Sequence, residues 1–231
     1  MQKVRKELIK MPRMKDCFHS NVCKTSPCSA TCERYRFFNN QLDMSNLPSM
    51  YKKPFQIYHV DADEVQYDEL DKYKGEEVVK FVREGKNLYI CSTTCGNAKT
   101  TWAAKIMLRY FDQTWKGSYD FPRGVFVNVP TFLLDIKKFG DIPEYIDRLK
   151  EADLVIWDDL AFGRLTDYEH EQLIQFIDYR IANDKSNIYT SNITDYETLK
   201  SVIGGRLASR IFNGSKVIEF KSDDFRAGGK L

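Results

Sequence analysis

The sequence has no long apolar run. Its longest stretches of apolar side chains, Leu88 to Cys91 and Leu154 to Trp157, are the length of a buried strand. A bilayer span needs roughly 20 such residues. The N-terminus is basic but carries no apolar core of the kind a secretory leader needs. Both absences point to a cytoplasmic protein with no membrane partner. Histidine is scarce, and His19, His59 and His170 are too scattered to make a catalytic set. Internal repeats and low-complexity tracts are also missing. Charge of one sign is lacking as well: 35 Lys and Arg against 33 Asp and Glu leave a net +2.

What is present suits a packed chain. Hydrophobic residues make up 42% and charged residues 29%, a balance that favours a core over disorder. A length of 231 residues fits one medium α/β domain with a small appendage. The charge is unevenly spread. Residues 1–36 hold nine Lys and Arg against three Asp and Glu, which leaves −4 on the rest. A basic arm on a mildly acidic body suits nucleic acid or an acidic partner; a solvated tail is the plain alternative.

The chain divides into three stretches. Residues 1–36 form a basic module containing Cys17, Cys23, Cys28 and Cys32. Residues 37–56, punctuated by Asn39-Asn40, Pro48 and Pro54, read as a linker. Residues 57–231 alternate strands with helices. Strands are expected at 87–92, 124–129, 154–157, 187–191 and 217–220. Helices are expected at 76–83, from Thr100 to about Tyr110, from Pro130, after the capping-box pair Thr166 and Glu169, and at 198–212 despite Gly204-Gly205. Such alternation predicts a five-stranded parallel sheet flanked by helices, an α/β fold.

Chemistry enters at Thr93-Thr94-Cys95-Gly96-Asn97-Ala98-Lys99-Thr100, followed by Thr101, between an expected strand and an expected helix. That is the setting of a phosphate-binding loop, whose inward amides and helix N-terminus favour anions. Lys99 would reach the β- and γ-phosphates of ATP, and the Thr100 hydroxyl would ligate Mg2+. Thr93 and Ala98 stand where the motif has its two defining glycines. Asn97, tolerant of positive φ, could preserve part of the turn. The second motif is Leu154-Val155-Ile156-Trp157-Asp158-Asp159, an apolar strand ending in two carboxylates. Asp158 lies 59 residues after Lys99. Parallel strands end on one edge, so Lys99 and Asp158 should meet there. Asp158 would hold the Mg2+ shell and Asp159 would orient or deprotonate a water.

Seven features in order resemble the DnaC/DnaI-type replicative helicase loaders and the related transposition helper ATPases, a branch of the AAA+ class. Besides the loop and Trp157-Asp158-Asp159-Leu160, the similarity rests on Asn46-Leu47-Pro48-Ser49-Met50-Tyr51, Val127-Asn128-Val129-Pro130, Thr190-Ser191-Asn192, Arg206-Leu207-Ala208-Ser209-Arg210-Ile211 and Asp224-Phe225-Arg226. It spans roughly residues 46–228. The resemblance implies an AAA+ ATPase domain that binds a hexameric replicative helicase, places it on single-stranded DNA and self-assembles when ATP-bound. It implies that Asn192 senses the γ-phosphate, that Arg210 (or Arg206) acts in a neighbour's site, and that Arg226 contacts nucleotide. Each has a plainer reading: Asn192 as a turn residue, Arg206 and Arg210 as partners of surface acids, Arg226 as a tail charge. The missing loop glycines put fast hydrolysis in doubt more than binding.

The four N-terminal cysteines are spaced x5, x4 and x3. In a cytosolic chain such a cluster reads as a Zn2+ site or as plain thiols, with His19 a substitute ligand. Gram-positive loaders resemble this layout, with a zinc module that docks on the helicase. Lys137, Lys138, Arg148 and Lys150 are candidate DNA contacts or a solvated face. Two other functions remain open: a transposition helper with the same engine, and a zinc adaptor with a vestigial loop.

Overall fold

A computed structural model of the chain describes residues 17–19, 23, 31–57, 59–116, 120–139 and 143–223. Five strands form one parallel sheet: β1 (Asn87–Cys91), β2 (Gly124–Asn128), β3 (Leu154–Asp158), β4 (Ser186–Ser191) and β5 (Lys216–Glu219). Their spatial order is β2-β3-β4-β1-β5, and every pairing is parallel. β4 therefore lies between the strand that precedes the phosphate loop and the strand that ends in the two acids.

Of the central strands, β1 and β3 read as apolar runs because both faces are covered. Leu88, Ile90, Ile156 and Ile188 point to one face, where α4 (Lys99–Gln113) packs with Trp102, Ala103, Ile106 and Met107. Helices α1 (Glu33–Met44), α2 (Glu64–Asp71) and α3 (Glu76–Arg83) complete that layer. Tyr89, Val125, Val155, Trp157 and Tyr189 point to the other face. There they meet α5 (Val129–Phe139), α6 (Pro143–Glu151), α7 (Asp167–Ala182) and α8 (Tyr196–Ile203). The Thr166–Glu169 capping box at the start of α7 forms as the sequence indicates.

Two expectations are corrected. The stretch 37–56 is not an open linker. Helix α1 buries Phe37, Phe38 and Leu42, and Leu47 and Tyr51 join the same core. The chain just after it guards the sheet edge at β2. Phe126 N–H donates to the Ser45 carbonyl at 2.7 Å, and Arg123 N–H donates to Gln41 Oε1 at 2.6 Å. An edge strand needs such cover, and an aromatic helix supplies it. The second correction is the helix expected at 198–212. It breaks at Gly204, whose φ of +83° no other residue adopts cheaply. Short α9 (Gly205–Ala208) and a π-turn over Ser209–Asn213 follow.

The N-terminal cysteine module lies mostly outside the described residues, Cys28 included. Among the described residues no group of three or more His, Cys, Asp or Glu side chains is placed to share a metal ion. The Zn2+ expectation thus finds no support in them. His19 is engaged elsewhere: its Nε2 lies 3.2 Å from Asp112 Oδ1, and its ring meets Phe38 edge-on. Among the described residues no helix is long and apolar enough to cross a membrane.

One buried charge fixes the sheet's lower end. Arg180, 1% exposed, donates to Asn187 Oδ1 and to the carbonyls of Leu149, Ala152, Asp153 and Ser186. It ties α6, α7, β3 and β4 together. Replacing it strands several buried carbonyls. We expect Arg180→Ala to cost about 3–5 kcal/mol in urea unfolding, with Arg180→Lys recovering only part because it lacks the planar fork.

Candidate functional site

The site is built where β1, β4 and β3 end. The loop after β1 turns through two left-handed residues, Gly96 (φ +74°) and Ala98 (φ +65°), before α4 starts at Lys99. Asn97 is not the residue that takes positive φ. It is fully buried instead, and its amide nitrogen donates to Ser92 Oγ and, at 3.1 Å, to Thr94 Oγ1. Lys99 is also buried. Its ammonium donates to the Thr94 carbonyl at 2.8 Å and to Asn97 Oδ1 at 2.9 Å. Burial lowers the Lys99 pKa, while the nearby thiols of Cys95 and Cys91 and the carboxylates of Asp158 and Asp159 oppose that shift.

Across the cavity, Asp158 Oδ1 accepts from two hydroxyls, Thr100 Oγ1 and Thr190 Oγ1, each at 2.7 Å. Asp159 follows with a left-handed φ of +58°, and its N–H donates to Thr190 Oγ1 at 3.1 Å. Burial pushes the Asp159 carboxyl above its ordinary pKa; the Asp158 charge adds to this and Lys99 opposes it. A hydroxyl and a carboxylate oxygen at the foot of a polar loop suit a small hard cation such as Mg2+. The residues present therefore fit the metal that the motif implies.

These groups share one cavity of about 1040 Å³. Its lining includes Cys95 to Thr101, Asp158, Asp159 and Asn192. Thr93 and Thr94 are not in the lining. Thr94 instead turns its hydroxyl to the Ser222 carbonyl at 2.7 Å. Arg206 and Arg210 are not in the lining either: both reach Asp178 on α7, at 2.6 Å and 3.0 Å. Arg226 lies outside the described residues. Lys137 and Lys138 are exposed on α5. Arg148 and Lys150 are half-buried on α6, Arg148 against Asn46 and Lys150 over the Tyr179 ring.

The sequence reading missed two contributors. Thr190, in sequence only a neighbour of Asn192, orients Asp158. The signal was register: Trp157 pairs with Tyr189, so the next residues, Asp158 and Thr190, adjoin. The other is an apolar wall from Pro48, Met50, Tyr51, Ile57 and Val60, with His59. Tyr51 and Thr101 hydroxyls lie 3.2 Å apart and tie this wall to α4. Nothing periodic in 52–60 announces it.

Sheet order, loop and paired acids together make an α/β fold in which a strand–loop–helix and a strand ending in two carboxylates meet at one edge of a parallel sheet. Among solved structures, the chain is similar to the DnaC helicase loader (TM-score 0.58, 21% identity, covering 80% of this chain and 99% of that one). It is similar as well to DnaI (TM-score 0.60, 19% identity, 80% and 98%). The replication initiator DnaA bound to AMPPCP and single-stranded DNA is a more distant likeness (TM-score 0.54, 18% identity, 73% and 49%). At these identities the likeness establishes a shared fold. Over 84 residues the chain is 30% identical to the uncharacterized protein YdaV of Escherichia coli K12, covering 36% of this chain and about a third, 34%, of that protein. No family model matches the sequence.

Two outcomes follow from the geometry. Ala98 in the left-handed region costs about 1–2 kcal/mol, and glycine restores about 0.5–1 kcal/mol of unfolded-chain entropy. Ala98→Gly should therefore stabilise the chain by about 0.5–1 kcal/mol in urea unfolding; a loss of stability would contradict the assigned backbone. Asp159 has a raised folded-state pKa, so its ionisation opposes folding. That penalty grows as pH rises through 3.8 and is complete above the raised value. Asp159→Asn should accordingly raise the melting temperature at neutral pH, with the gain fading below about pH 4. An equal gain at every pH would rule out this cause.

Proposed function

We propose that the chain is an ATP-switched loader that binds a replicative DNA helicase and helps place it on single-stranded DNA, acting in the cytoplasm. One observation carries the reading: Lys99, Thr100, Asp158, Asp159 and Asn192 line a single cavity, with Thr100 bonded directly to Asp158. The fold shared with DnaC and DnaI supports the choice of client. The loop amides and Lys99 bind the β- and γ-phosphates. Thr100 and Asp158 hold Mg2+, with Thr190 fixing the carboxylate's orientation. Mg2+, when bound, supplies charge neutralisation at the phosphates. Asp159 orients a water and can take its proton. Asn192 donates a hydrogen bond towards the terminal phosphate. The Pro48–Val60 wall offers apolar cover for the base.

Arg210, with Arg206 second, serves a neighbouring copy's cavity in an ATP-linked assembly. Basic groups on α5 and α6 would contact DNA phosphates. With two strained residues in the site and no glycine at 93 or 98, turnover is slow, as suits a switch. A transposition helper would share this engine and differ in client. A nucleotide-indifferent adaptor has one observation in its favour: Lys99 is already bonded within its own loop.

Titration with ATP and Mg2+ separates the adaptor from the other two. Co-purification with the host replicative helicase, with and without ATP, separates loader from transposition helper. We expect Lys99→Ala to weaken ATP binding by about 100-fold, the loss of one buried charged contact. Wild-type affinity in that variant would remove the site assignment. Arg210→Ala should retain ATP binding and lose ATP-dependent assembly by size-exclusion chromatography; assembly at the wild-type level would return Arg210 to its surface pairing with Asp178.

A further inference from the structure

A phosphate loop short of glycine must be held in shape by something else. Glycines let the backbone amides turn inward freely, and a Cβ at 93 and at 98 removes that freedom. The loop here is braced by side chains. Ser92 Oγ and Thr94 Oγ1 lie 3.1 Å apart, Thr94 N–H donates to Ser92 Oγ, and the Asn97 amide bonds both. Thr94 Oγ1 then donates out of the loop, to the carbonyl of Ser222 at 2.7 Å. The Ser222 peptide is itself fixed. Asp63, 0% exposed, accepts from Lys221 N–H at 2.6 Å and from Ser222 N–H at 3.2 Å through one oxygen. Asp63 closes the short turn Asp61–Asp63, directly after the wall residues Ile57, His59 and Val60.

We propose that Asp63 is a positioning residue for the nucleotide site. Through the Ser222 peptide and the Thr94 hydroxyl it holds the glycine-poor loop in the shape that presents its amides and Lys99 to phosphate. It touches no phosphate itself. The Thr94 carbonyl, one of the two acceptors of the Lys99 ammonium, is set by the same residue whose hydroxyl is braced. The brace is a substitute for the missing glycines, and it couples the loop to the Asp61–Asp63 turn that follows the wall. This inference rests on the nucleotide-binding reading above and adds residues that the loop motif does not contain.

The test measures affinity for Mg2+-ATP by titration of the full chain, at a temperature well below the melting point of each variant. Thr94→Val removes the hydroxyl at nearly constant shape, and with it the bonds to Ser222, Asn97 and Ser92, and should weaken binding by at least about 3- to 10-fold, the net worth of one of them. Thr94→Ser should bind like the unaltered chain, a rescue that loss of packing would not show. Asp63→Asn should weaken binding to a similar extent, and the double variant no more than the weaker single one, because both act through one peptide. Wild-type affinity in Thr94→Val, or effects that multiply, would overturn the brace while leaving nucleotide binding intact. Should Asp63→Asn fail to fold, Thr94→Val and its serine rescue still decide the matter. Absence of ATP binding by the unaltered chain would end the nucleotide reading and the brace together.

Discussion

The site depends on one oxygen. Asp158 Oδ1 accepts hydrogen bonds from the hydroxyls of Thr100 and Thr190, and in doing so it joins the ends of β3 and β4 to the first turn of α4. No two of these residues are near in sequence. They meet because β4 is inserted between β1 and β3, so that the loop after β1 and the acids after β3 face each other over the end of β4. Parallel pairing is the precondition: it places all three C-terminal ends on one edge of the sheet. The apolar layers on both faces hold that pairing, and the buried Arg180 anchors the opposite end.

Strain is concentrated at the same place. Among the described residues four non-glycine residues have positive φ, and two of them, Ala98 and Asp159, line the cavity. Burial of Lys99 and of Asp159 disfavours the charged form of each. A neutral residue at 159 would relieve the burial cost there, and glycine at 98 would relieve the backbone strain while restoring the motif's own residue.

Most of the sheet was legible because β1, β2 and β3 are short apolar runs, and α7 because it begins with a capping box. The loop-to-acid pairing was legible because strand ends in a parallel sheet have a defined edge. What escaped was tertiary. Helix α1 looks polar along much of its length and is recruited by Phe37, Phe38 and Leu42 against α4 and β2, contacts that no local period reveals. The wall at 48–60 has no regular element beyond single turns. Gly204-Gly205 was read through as helix. In the fold Gly204 occupies a conformation closed to side chains, with His170 about 3.0 Å from where a Cβ would sit. Asn97 was assigned a backbone role by its tolerance of positive φ, and in the fold it acts through its side chain.

The charges of the cavity bear on the proposed switch. Its described lining holds one lysine, Lys99, against two carboxylates, Asp158 and Asp159. A bound triphosphate adds several more negative charges. One ammonium and one divalent cation leave that sum well short of neutral, in a partly buried site where imbalance is costly. Arginine is the side chain suited to make up the deficit, because its guanidinium stays charged and fits phosphate oxygens in pairs. The arginines singled out in the sequence, Arg206 and Arg210, are turned to Asp178 on the outer face of α7 and do not line the cavity of their own chain. On the proposed reading, then, the missing positive charge comes either from the segment around Arg226 or from a second copy presenting that outer face. The second source makes assembly a condition of full phosphate neutralisation, and it makes nucleotide occupancy a signal that neighbouring copies can read.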